Sequence, residues 1–60
     1  EPKAAAKILE TMTADIESVA KILLAMRPKE SADILAEMDY VLAAKITKKM
    51  LDMDEERLAQ

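Results

Sequence analysis

An all-α fold is predicted from three observations. The chain of 60 residues contains no Gly and two Pro, so the tight glycine turns that build β-hairpins have no residue to make them. Apolar residues recur at helical spacing, and strict alternation never persists. A short phrase, Ile-Leu-x-x-Met, is spoken repeatedly: "KILETM" at 7–12, "KILLAM" at 21–26 and "DILAEM" at 33–38, with a looser "KITKKM" at 45–50. Met12, Met26, Met38 and Met50 close these units at spacings of 14, 12 and 12 residues, room for one helix of about three turns and a corner. The expected architecture is a compact stack of four to five short helices forming one domain over residues 1–60. A domain of this size holds a stability margin of only a few kcal/mol.

The first helix is expected at about 3–12, with Ala5, Ile8, Leu9 and Met12 on its packed stripe. The second, at 14–26, has Thr13 as candidate N-cap and Asp15 and Glu17 in its first turn. Its stripe is Ile16, Val19, Ala20, Leu23 and Met26, and "VAKILLAM" is apolar nearly all round, which marks this helix as the central element. The third, at 28–38, opens on Pro28, whose missing N–H costs nothing at a first helical position, with Glu30 adding negative charge beside it. Ala32, Leu35 and Met38 are its stripe, with Ile34 alongside. The fourth, at 40–52, starts after the N-cap Asp39 and packs through Leu42, Ala43, Ile46, Met50 and Met53. "EMDYVLAA" at 37–44 parallels "DMDEERLA" at 52–59, so Asp54 is expected to cap a separate closing turn at 55–60. Lys21, Lys29, Asp33, Glu37 and Lys45 fall on the opposite, solvated faces.

The core must be filled by 11 Ala, 7 Leu, 5 Ile and 5 Met, because Phe and Trp are absent and Tyr40 is the single aromatic. Slender, adaptable groups of this kind suit helices packed closely through alanines. With no Cys the redox compartment is unreadable, and no apolar run approaches the roughly 20 residues of a membrane span. A formal net charge of −3 argues against nucleic acid as partner.

Few residues offer chemistry. His and Cys are absent, and Thr11, Thr13, Ser18, Ser31 and Thr47 have the look of cap or surface hydroxyls with no base at a recognisable spacing. No enzyme activity and no cofactor is expected. Asp52, Asp54, Glu55 and Glu56 lack the ligand register and turning Gly of a calcium loop, so no metal site is expected there. Lys45, Lys48 and Lys49 form a basic patch on the fourth helix that reads as a solvated face. The methionines are the least bland feature, since Met fills irregular cores and also lines adaptable binding surfaces. Met26, Met38, Tyr40, Met50 and Met53 are therefore the candidate partner-binding residues, and the partner is expected to be a protein.

The stretch "KILLAMRPKESADILAEMDYVLAAKITKKM" resembles the superhelical repeats shared by the N-terminal domain of MgtE magnesium channels, the N-terminal region of the flagellar switch protein FliG and the C-terminal domain of MotE-type flagellar motility proteins. It is most similar to the MotE type, a pattern falling here on Met26, Pro28, Ser31, Ala32, Ile34, Leu35, Met38, Asp39, Leu42, Ala43, Ala44, Lys45 and Ile46. The corner Pro of that pattern is replaced at Ala14, Tyr40 and Glu55. What the resemblance implies is a non-enzymatic, chaperone-like interaction domain of a flagellar accessory protein, contacting a motor- or stator-associated protein on the periplasmic side. The polar opening "EPKAAAK" fits excision from a longer, membrane-anchored or exported parent, with an upstream coiled coil that would make it a homodimer. The MgtE alternative implies a cytoplasmic Mg²⁺-sensing domain.

Overall fold

The computed structural model describes residues 1–59 as four helices: α1 Pro2–Glu10, α2 Ile16–Leu24, α3 Pro28–Ala36 and α4 Tyr40–Ala59. The all-α expectation holds, with no strand among the described residues. The Cα radius of gyration is 10.9 Å, close to the roughly 10 Å of a compact chain this long. The longest dimension, 34 Å, is set by α4, whose 20 residues span about 30 Å.

Each helix start is set locally, by a proline, a capping hydrogen bond or both. Pro2 and Pro28 supply the fixed φ of a first turn to α1 and α3. For α3 the Glu30 carboxylate also accepts the Arg27 N–H at 3.3 Å. Arg27 offers no acceptor in return, so the reciprocal half of a capping box cannot form. The cap of α2 is Asp15 rather than the expected Thr13: its carboxylate accepts from the Ser18 N–H at 3.2 Å and the Ser18 hydroxyl at 2.7 Å. Residues 11–14 are spent in a turn closed by Thr11, Met12 and Asp15 N–H bonds to carbonyls three residues back. Asp39 caps α4 as expected, accepting from the Leu42 N–H at 3.0 Å. Its own N–H donates to Glu10 at 3.1 Å, tying the end of α1 to the start of α4.

The separate closing turn does not exist. α4 runs through position 54, because neither Gly nor Pro lies between Tyr40 and Ala59 to stop it. Asp54 therefore has no helix to cap and pairs instead with Arg57 one turn on, at 2.9 Å. The expected turn at 55–60 is absorbed into α4 up to Ala59; Gln60 lies outside the described residues.

Helix ends follow from the missing glycine. Thr11, Ala25 and Glu37 close α1, α2 and α3 in right-handed geometry, with φ of −76°, −79° and −92°. The left-handed exit that many helices take through Gly is not used, and no described residue has positive φ. The chain leaves α1, α2 and α3 through bonds to carbonyls three residues back, such as Met26 N–H to Leu23 O at 3.2 Å.

Packing is most extensive between alternate helices, α1 on α3 and α2 on α4. The core consists of Ala6, Leu9, Val19, Ala20, Leu23, Ile34, Met38 and Ile46. Two expected stripes are rotated. In α1, Ala6 and Leu9 point inward and Ile8 is 64% exposed. In α3 the buried line is Ser31 and Ile34, continued by Met38 just past its end, while Ala32 is exposed and Leu35 half-buried. Ser31 tolerates burial because its hydroxyl donates to the Leu23 carbonyl at 2.6 Å, at the last turn of α2. Nor is α2 buried all round: Val19, Ala20 and Leu23 are, but Ile22 and Leu24 reach solvent.

Leu23 is among the largest fully buried side chains, at 1% exposure. Leu23→Ala is expected to cost about 2–5 kcal/mol of unfolding free energy. Ser31→Ala, which removes one bond from a carbonyl that Met26 still engages, should cost about 1 kcal/mol. Urea titration followed by far-UV circular dichroism measures both; equal losses would refute this ranking.

Candidate docking groove

Where α2 hands over to α3, the backbone turns at an extended Arg27, φ −65° and ψ 143°, the conformation a following proline demands. Leu23, Leu24 and Met26 end α2 on one side of this corner. Pro28, Ser31, Ala32 and Leu35 open α3 on the other, and Met50 of α4 closes the far wall. Together they line a shallow, open, mostly apolar groove of about 270 Å³. That is just below the range of enclosed small-molecule sites and has the form of a trough for a side chain or two of a protein segment. Its floor is fixed by the Ser31–Leu23 hydrogen bond, which spends the only buried polar side chain among the described residues on structure.

The five candidate partner-binding residues are dispersed. Met26 and Met50 share the groove. Met53 lies in an adjoining cleft with Lys21, Leu24, Asp54 and Arg57, so that Leu24 stands between the two depressions. Met38 is 7% exposed and belongs to the core. Tyr40 is 83% exposed at the first turn of α4, away from the groove. The methionine row is thus divided: Met38 fills space inside, Met12, Met26 and Met50 pack half-buried against the core, and no single edge carries them all. Leu23, Leu24, Pro28, Ser31, Ala32 and Leu35 are the groove residues that sequence reasoning missed. The available signal was Pro28, which splays two helix ends with apolar residues on both flanks.

Five ion pairs join nine charged residues among the described residues, four of the pairs each within a single helix. Glu17 reaches Lys21 on its own helix at 3.5 Å and Lys49 of α4 at 3.7 Å, bridging α2 to α4. Lys48 pairs with Asp52 at 2.7 Å and Lys29 with Asp33 at 3.1 Å. All are exposed pairs that contribute little each. The Asp52 hydrogen bond, reinforced by its charge, lifts the Lys48 ammonium above its ordinary range. Among the described residues no group of three or more carboxylates converges as metal ligands do. The Thr11 and Thr47 hydroxyls donate to carbonyls of their own helices' turns, that of Ser31 to the Leu23 carbonyl at the end of α2, and that of Ser18 to the capping Asp15 carboxylate. No described helix is long and apolar enough to cross a membrane.

Fold and groove together define a small helical domain with an open, mostly apolar groove. No protein-family model, no curated protein and no solved structure matches the chain.

The cap of α2 carries a pH dependence. The Ser18 hydroxyl, then the Ser18 N–H, hold the Asp15 carboxyl below its ordinary value of 3.8. Because the folded value is depressed, the stabilisation is present above 3.8 and fades as pH falls through the lower folded value. Asp15→Asn keeps a capping oxygen without the titration. Thermal melts from pH 5 to pH 2 should show the wild type losing midpoint relative to Asp15→Asn below pH 3.8; parallel curves would sink the assignment.

Proposed function

We propose that this chain is a non-enzymatic protein-interaction domain that seats an apolar segment of a partner in the groove between α2, α3 and α4. The observation that carries the reading is the open apolar trough of Leu24, Met26, Pro28, Ala32, Leu35 and Met50, in a fold whose Ser18 and Ser31 hydroxyls and Asp15 and Glu17 carboxylates are engaged within it. Half-buried methionines at its walls adapt to an incoming aliphatic side chain at small cost. The resemblance of residues 21–50 to MotE-type repeats supports a flagellar accessory or chaperone role, with a motor- or stator-associated protein as partner. It also supports a periplasmic location of a membrane-anchored or exported parent. The alternative from the same resemblance is a cytoplasmic Mg²⁺-sensing domain.

Two substitutions separate packing from binding. Met38→Glu puts a carboxylate into the core and should abolish the cooperative unfolding transition. Ala32→Glu introduces the same charge at an exposed groove position and should leave the fold intact while removing partner capture. The readout is crosslinking and capture from the envelope of a motile bacterium, comparing wild type with Ala32→Glu. Recovery of a motor component by the wild type alone is expected; equal recovery by both sinks the groove. Heat of binding on titrating millimolar Mg²⁺ into the wild type would turn the reading to cation sensing.

A further inference from the structure

One face of α4 has no neighbour within the fold. Ile46 points into the core, and at 3.6 residues per turn Tyr40, Ala44, Leu51 and Leu58 fall within an arc of about 40° on the opposite side. All four are exposed, Tyr40 at 83%, Leu51 at 57% and Leu58 at 77%. Ala44, Leu51 and Leu58 are spaced by seven, the repeat at which two helices meet along a seam. Charges on α4 are divided along its length: Lys45, Lys48 and Lys49 precede Leu51, and Asp52, Asp54, Glu55 and Glu56 follow it, with Arg57 the one base among them. Lys48 and Glu55 border the stripe, whereas Lys49 turns to Glu17 of α2.

We infer that the outer face of α4 is a self-association surface, on which a second copy of this chain pairs antiparallel about a two-fold axis at Leu51. Reversing one helix against the other puts the basic half of each copy opposite the acidic half of its partner. With Leu51 against its counterpart, Lys48 comes opposite Glu55 of the partner copy, and Thr47 comes opposite Asp54 on the other flank. Both matches are made twice, as a two-fold interface requires. Ala44 falls opposite Leu58, a small residue receiving a large one, with Tyr40 one turn beyond to cover it. Glu55 takes part in no ion pair among the described residues, so its carboxylate is available. Lys48 is paired with Asp52 at 2.7 Å through one of its three N–H donors and bridges both carboxylates in the dimer. A parallel pairing brings Leu51 and Leu58 together as well, but sets the lysines level with one another and leaves the charges unmatched. The seam is a single helix wide, so the interface falls below the usual 1,200 Å² or so and the dimer is weak, with a dissociation constant roughly in the micromolar-to-millimolar range. The docking groove lies on the inward side, where Met50 faces α2 and α3, so pairing leaves it open. The two surfaces are tested separately.

Sedimentation equilibrium of the 60-residue chain from about 10 μM to 1 mM at low salt reads the association. The expected result is an average mass rising from 6.7 kDa towards twice that value, and falling back as NaCl is raised. Leu51→Glu faces two carboxylates across the axis and should weaken association at least about tenfold, with unchanged helical circular dichroism because the site is already exposed. Lys48→Glu should weaken it as well, and adding Glu55→Lys to the same chain should restore it by exchanging the charges. A wild type that stays at 6.7 kDa throughout overturns the surface, as does a Leu51→Glu variant that associates like wild type. Failure of Glu55→Lys to rescue Lys48→Glu overturns the antiparallel register.

Discussion

The structure turns on Leu23, which serves it twice. Its side chain is sealed between helices at 1% exposure, and its carbonyl accepts the Ser31 hydroxyl at 2.6 Å. In a core without Phe or Trp, such an aliphatic group supplies much of the available contact, and close-packed neighbours relax only partially when it is removed. The carbonyl sets where α3 lies, because a buried hydroxyl must stay within reach of its acceptor. Pro28 then fixes the direction in which α3 departs, and the trough beside Met26 and Met50 is the space these two constraints leave.

What the sequence announced was local. The class, the starts of α3 and α4, Pro28 at a first helical position and Asp39 as a cap all depend on residues within four of each other. What it concealed was relational. Helical periodicity marks a stripe about 100° wide, but the crossing partner decides which of two adjacent residues occupies its centre. Hence Leu9 is inside and Ile8 outside, and Ser31 displaces Ala32 because an acceptor waits on another helix. The Glu10 bond to the Asp39 N–H spans 29 positions and has no local signature. Asp54 misled for the opposite reason: its surroundings repeat those of Asp39, but no break in α4 accompanies them. Of the methionines, spacing gave the recurrence and nothing of the division between Met38 within and Met26 and Met50 at the groove.

As a rod with two dissimilar sides, α4 organises the rest. Its inner side, through Leu42, Ile46 and Met50, completes the core against α2 and α3. Its outer side adds no residue to the core, and its terminal half runs beside α2, where Met53, Asp54 and Arg57 line a cleft with Lys21 and Leu24. A 20-residue helix among three of nine gives a 60-residue chain more surface than folding alone requires. Proteins this small have little apolar area to spare, so leucines left in water contribute nothing to stability unless something else covers them.

The right-handed corners carry a consequence of their own. A bend routed through left-handed backbone imposes a nearly obligatory letter, since a side-chain carbon is penalised there. The bends after Thr11, Ala25 and Glu37 impose no such rule, and almost any L-residue fits them sterically. Another chain could trace the same path with wholly different spelling at every bend, recognisable by its shape long after its alphabet had ceased to correspond.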